Sequence, residues 1–231
     1  MKILRVTFLQ LCKSIYFYVR RLLQDILSPP LCFFCREFIK KRDVFCSHCS
    51  DAITPIVSTT VAIAKKHNVK VFAVSDYKDP VRALILAKGY SDIVASRKLG
   101  ELIWDMTYVK NVEFDYIVPI PLHYTRFASR GFNQAQEIAS ILSQKSGKPV
   151  ANILIRKKIT KRQSELSQEK RFQNVKDAFV LKAKNKSVYR GKHILLVDDL
   201  MTTGSTIKSA SKRLLETMPQ AVTVAVACRV V

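Results

Sequence analysis

Acidic residues are scarce here: 18 Asp and Glu stand against 39 Lys and Arg, a formal net charge of +21. That imbalance points to polyanions as partners: nucleic acid, phosphorylated metabolites or an anionic membrane. Glycine is scarce too, six in 231 residues. No G-x-x-x-x-G-K-[ST] string occurs, which excludes a P-loop nucleotide site. No internal repeat and no low-complexity tract occurs, which excludes a solenoid or a linker-rich chain. No uncharged stretch approaches the roughly 20 residues of a membrane-spanning helix. Residues 1–27 are apolar but broken by Lys2, Arg5, Lys13, Arg20, Arg21 and Asp25. No small-residue cleavage site follows them, so a secretory signal is not expected. They read as a basic amphipathic helix, residues 1–30, that packs on the protein's own domain or lies on a membrane surface. The expected location is cytoplasmic, with peripheral membrane contact through 1–27 as the variant. With 48% hydrophobic and 25% charged residues, the composition is globular.

Four of the six cysteines are concentrated in "CFFCREFIKKRDVFCSHC": Cys32, Cys35, Cys46 and Cys49. Each C-x2-C turns two thiolates toward one point, and two such turns supply the four soft ligands of tetrahedral Zn2+. Four thiolates leave no open position, so the site is structural. Two disulfides would need an oxidising compartment, toward which nothing directs the chain. His48 reads as a bystander, and Cys12 and Cys228 as buried small hydrophobes. Residues 31–68 are expected to hold this zinc-ribbon-like element and a linker.

From residue 69 to 231, strand-like and helix-like segments alternate. "VKVFAVSDY", "YIVPIP", "NILIRK", "HILLVDD" and "VTVAVACRVV" read as strands. Residues 79–109, 133–147 and 204–218 carry apolar side chains at helical spacing. The expected fold is α/β, a mostly parallel sheet flanked by helices. Between Arg156 and Lys192 the pattern weakens to a loop with thirteen Lys/Arg against three acids. Such a run is a solvated face or a binding patch.

The only Asp-Asp pair of this basic chain lies in "HILLVDDLMTTGST". In an open parallel sheet, ligands bind beyond the carboxyl ends of the strands, and there Asp198 and Asp199 are expected. "TTGST" then opens a helix, whose unpaired N–H groups and dipole favour an anion. Thr202, Thr203, Ser205 and Thr206 add hydroxyls, and Gly204 lets the backbone approach. Two carboxylates beside a phosphate cradle suit a ligand with vicinal hydroxyls near its phosphate, such as a ribose 5-phosphate. A strand end with an Asp cap is the plainer explanation, and it covers single residues rather than the string.

"ILLVDDLMTTGSTI" resembles the phosphoribosyl pyrophosphate (PRPP) motif of type I phosphoribosyltransferases. The four-cysteine element, "VPIPLHYTRFASRGFNQAQEIA" and "QSELSQEKRFQNVKDAF" extend the resemblance to the ComF family of competence proteins. It implies a type I phosphoribosyltransferase-like domain. Asp198 and Asp199 would hold the ribose hydroxyls, and Thr202, Thr203, Gly204, Ser205 and Thr206 the 5-phosphate. Mg2+ would accompany PRPP, bound mostly by substrate oxygens and water. Arg126 and Arg130 fall at the same sheet edge, and the backbone from Arg130 to Asn133 would face the pyrophosphate. Asn133 also suits a helix N-cap. Gln163 and Arg171 would belong to a lid over PRPP.

Two functions follow. One is a PRPP-consuming transferase acting on a nucleobase or nucleotide, although no stretch announces base specificity. The other, implied by the ComF resemblance, is DNA handling in natural transformation beside the DNA-uptake and helicase machinery. Single-stranded DNA would then track Lys157, Lys158, Lys161 and Arg162, with Phe172 as a stacking ring. Phe127, Phe132, Phe179 and Tyr189 are interleaved with basic residues, though any of them suits a core. A membrane-peripheral adaptor is a weaker third reading.

Overall fold

A computed structural model of the chain describes residues 29–39, 43–64, 67–87, 93–157, 178–182 and 186–230. The expected N-terminal helix therefore lies outside the described residues, apart from Pro29 and Pro30. The chain forms two compact units, dividing after Ser50.

The larger unit is built on a six-stranded sheet. Its strands are β1 (Ile56–Ala64), β2 (His67–Asp76), β3 (Tyr116–Pro119), β6 (His193–Val197), β7 (Leu200–Met201) and β8 (Ala221–Arg229). The order is β1-β2-β8-β6-β3, with β7 pairing β8 beyond the end of β6. Only β1 runs antiparallel, to β2; the other pairs are parallel. The expected mostly parallel sheet is observed. The central strands β6 and β8 are nearly continuous runs of Val, Ile, Leu and Ala, buried along almost their whole length. Burial of both faces explains why they lack alternation.

The helices of this unit are α2 (Val81–Ala87), α3 (Ile93–Met106), α4 (Tyr124–Arg130), α5 (Gln134–Ser146) and α6 (Ser205–Leu214); α1 (Ser47–Asp51) belongs to the cysteine region. α5 packs on α3, β3 and β6, and α6 on β1, β8 and the short strand β5 (Phe179–Leu181). Gly100 sets the approach of α3 to α5: a Cβ there would stand 2.9 Å from Ile141 Cβ and 3.1 Å from the Ile138 carbonyl. Alternate residues of one sheet face, among them Val71, Ile194, Leu196, Val224 and Val226, share a core with Ile207, Ala210 and Leu214 of α6.

Two sequence expectations are corrected. Residues 50–68 are not only linker, because Ile56–Ala64 forms the edge strand β1. Its β-branched content suits a strand, but an edge strand with no periodic partner segment carries little signal. "NILIRK" does form a strand, β4 (Leu154–Arg156), but outside the parallel sheet. It pairs antiparallel with β5 (Phe179–Leu181) in a separate two-stranded ribbon.

Candidate functional site

β6 ends at Val197, and the acidic pair follows at its carboxyl end. The backbone there stays tied to β8. The Asp198 N–H donates to the Ala225 carbonyl at 3.1 Å, and the Asp199 carbonyl accepts from Ala227 and Cys228 N–H, each at 3.2 Å. Both side chains remain half-buried. Asp198 Oδ1 accepts the Asp199 N–H at 2.9 Å, which fixes that carboxylate. Hydrogen bonding on both sides of the pair makes the strand end a rigid support.

After β7 the segment Thr202–Thr206 turns into α6. Gly204, at φ 71°, caps the helix in the left-handed region. A Cβ there would meet nothing closer than 3.7 Å. The need for glycine is thus conformational rather than steric. The Thr203 and Ser205 hydroxyls lie 2.9 Å apart. α6 is ten residues long and is entered through this hydroxyl-rich turn.

Arg126 and Arg156 bring positive charge to the region, and Arg130 lies further along the helix that carries Arg126. Arg126 is on α4, and Arg130 is the last residue of that helix. Arg156, on β4, is only 8% exposed. Its guanidinium lies 5.3 Å from the centre of the Phe179 ring. Burial pulls Arg156 down to about 10; Arg126 repels it in the same direction, and Asp198 opposes them. The charges of Arg126 and Asp198 therefore both act on Arg156. The sequence reading missed Arg156 as a site residue. Its signal was the alternation of "LIR", where Leu154 and Arg156 point inward and Ile155 outward.

Asn133 occupies the N-cap position of α5 but makes no side-chain cap bond. Its Nδ2 donates instead to the Ile120 carbonyl at 3.0 Å, tying the helix start to the exit of β3. His123, not singled out from sequence, caps α4: Nδ1 accepts the Thr125 N–H at 3.3 Å. A cavity of about 600 Å³ lies between the α4–α5 region and the β4–β5 ribbon, lined in part by Tyr124, Phe127, Phe132, Gln136, Arg156 and Lys182.

Lys157 is exposed, and its N–H donates to the Ala178 carbonyl at 2.9 Å, closing the base of the ribbon. Lys158, Lys161, Arg162, Gln163, Arg171 and Phe172 lie outside the described residues. Of the other aromatics weighed as stacking rings, Phe179 and Phe132 are buried. Tyr189 packs edge-on against Tyr116 at 4.9 Å. Phe127 is exposed.

In the smaller unit the Sγ atoms of Cys32, Cys35, Cys46 and Cys49 all lie within 4.8 Å of one another. Leu31 and Phe38 form an antiparallel bridge around the first pair. The second pair enters α1, where Ser50 N–H donates to the Cys46 carbonyl at 2.9 Å. The four thiols are free. Cys35 and Cys46 sulfurs are 3.6 Å apart, close to the ~3.8 Å edge of a tetrahedron with 2.3 Å metal–sulfur bonds. Burial works to raise the Cys32 thiol, yet N–H donors from Cys46, Cys35 and Phe34 outweigh it and hold it at about 6. Burial and the neighbouring sulfurs push Cys49 up. Four crowded thiols that resist shared ionisation form a donor set suited to a soft cation. His48 is exposed and stands outside the set. Cys228 is fully buried, as expected.

A family model described as phosphoribosyl transferase domain matches residues 113–230. Competence protein F of Haemophilus influenzae is 32% identical over 199 residues, covering 82% of this chain and 86% of that protein. The DNA utilization protein YhgH of Escherichia coli K12 is 30% identical over 167 residues, covering 69% and 72% respectively. Among solved structures, the allosteric regulatory enzyme of purine biosynthesis matches with a TM-score of 0.40 and 22% identity, over 58% of this chain and 25% of that one.

Proposed function

The chain belongs to the ComF family of competence proteins, and from that premise we propose that it handles single-stranded DNA in natural transformation and binds PRPP at its phosphoribosyltransferase-type site. The observation that carries the PRPP reading is one constellation: an acidic pair whose first carboxylate is held by a backbone N–H, a hydroxyl-rich helix start, and the buried Arg156, on which both Asp198 and Arg126 act. In this reading Asp198 and Asp199 accept from the ribose hydroxyls. Thr202, Thr203, Ser205, Thr206 and the backbone at Gly204 hold the 5-phosphate. Arg126 and Arg156 supply cations toward the pyrophosphate, with Arg130 and the backbone as far as Asn133 on the same side. Gln163 and Arg171 act from the lid. Mg2+ fits as an ion carried mainly by pyrophosphate oxygens and water. The metal of the four-cysteine set is zinc, with a structural role.

The DNA reading is supported by the relatives named for competence and DNA utilization and by the net charge of +21. Lys157, Lys158, Lys161 and Arg162 neutralise backbone phosphates, and Phe172 stacks on a base. Turnover of PRPP is the second reading. It is favoured by the two guanidiniums available to a departing pyrophosphate, since charge stabilisation of a leaving group is a large catalytic contribution.

The test is calorimetry of PRPP with Mg2+ on the parent and on Asp198→Ala combined with Asp199→Ala. Hydrogen bonds to charged groups contribute about 1.5–3 kcal/mol each, so the double variant should bind at least about tenfold more weakly while staying folded. Equal affinity would move the site elsewhere. Pyrophosphate release from the same samples with a panel of bases separates turnover from binding alone.

A further inference from the structure

α4 buries none of its seven residues, yet it carries two aromatics, Tyr124 at 70% and Phe127 at 51% exposure. Such rings normally bury 150–250 Å² each, so two exposed on one short helix leave unused a large apolar contribution. At about 100° per residue, Arg126, Arg130, Phe127 and Tyr124 fall in that order along a stripe roughly 160° wide. Two guanidiniums thus stand beside two rings on one side of the helix. Behind the rings opens the 600 Å³ cavity, whose lining adds Arg156 and Lys182. The lining's acid, Glu137, is paired with Arg97 at 2.8 Å. Its charge is thereby countered and the face is net positive.

The platform is also held in place. The Tyr124 ring lies 4.3 Å from the His123 ring. His123 is 2% exposed and bonded through Nδ1 to Thr125. A ring fixed before binding loses little freedom when a partner stacks on it.

Resting on the reading of this chain as a DNA-handling protein, we propose that α4 is a stacking platform for a single strand. Tyr124 and Phe127 take successive unpaired bases, Arg126 and Arg130 the adjoining phosphates when no pyrophosphate engages them, and the cavity bounded by Phe132 and Gln136 one base turned inward, so that strand and PRPP compete for this face. Flat apolar faces interleaved with guanidiniums match a strand whose bases are unpaired. Bases within a duplex are already stacked on their neighbours and offer such rings no face. An acidic protein surface would use the charges but not the rings.

The experiment uses the full chain and a labelled oligothymidylate, followed by anisotropy. Tyr124→Ala combined with Phe127→Ala should weaken binding by about five- to 150-fold for each base that loses its ring. The salt dependence should not change, because neither ring is charged. The variant should fold, since α4 buries nothing. A second readout reports stacking directly. With Trp104, the chain's one tryptophan, changed by Trp104→Phe, the indole of Phe127→Trp should retain affinity and be quenched on binding. If the parent binds but the double variant binds equally and the indole stays bright, the platform is wrong while the DNA reading stands. If the parent fails to bind at low salt, the DNA reading falls and takes the platform with it. If a nucleoside monophosphate quenches as strongly as the oligomer at equal concentration, the occupant is a small nucleotide and the strand assignment is overturned.

Discussion

At the residue scale, Arg156 shows how one buried charge can be kept. Taking a guanidinium out of water costs several kcal/mol, and the cost is tolerated only where partners compensate. Here the Phe179 face lies 5.3 Å away and the field of Asp198 favours the charge. A pyrophosphate would add to that compensation. Arg156→Met keeps apolar volume and removes the charge, so PRPP affinity should drop by about 1.5–3 kcal/mol, roughly ten- to 150-fold, with folding retained. Arg156→Lys should not restore it fully, because an ammonium lacks the flat fork that stacks and bonds in two places. Calorimetry on both variants decides, and a Met variant equal to the parent would remove Arg156 from the anion site. Asp198 and Asp199 were legible because their whole context is contiguous: strand, pair, hydroxyls, glycine, helix. Arg156 and His123 were not, because their meaning depends on Phe179 and on a cap, neither of which a motif announces.

At the element scale, legibility followed how much of an element's partner lies beside it in sequence. The parallel strands β2, β3, β6 and β8 declared themselves by apolar runs, because burial on both faces removes polar residues. The edge strand β1 and the short strand β5 did not, and β4 was legible as a strand but not as half of a ribbon. The ribbon pairs Leu154–Arg156 with Phe179–Leu181 across a long basic segment, and no local pattern encodes that pairing. The four-cysteine element was legible because its chemistry requires fixed spacing. It also gives a direct prediction. The parent should contain about one zinc per chain, and Cys46→Ser should lose it, because three thiolates bind far less tightly than four and metal binding is coupled to folding. Loss should make the region around residues 29–50 more sensitive to protease. Elemental analysis checks it, and a metal-free parent with a folded cysteine region would contradict it.

For the whole molecule, the governing quantity is charge. A net +21 repels itself, and a polyanion relieves that repulsion. Each phosphate neutralised on a single strand releases counterions, so affinity should fall by about 0.7 log units per decade of salt for each contact. The basic segment that begins at Lys157 leaves the ribbon at a closed base, where Lys157 and Ala178 are bonded at 2.9 Å. Lys157 thus stands on the same unit as the acidic pair. The most direct measurement is oligothymidylate affinity across a salt series for the parent and for the combined change of Lys157, Lys158, Lys161 and Arg162 to Gln. Tight binding at low salt is expected for the parent. The variant should bind more weakly, with a slope shallower by up to about three log units per decade. No binding at low salt, or a slope untouched by the four changes, would contradict the DNA reading.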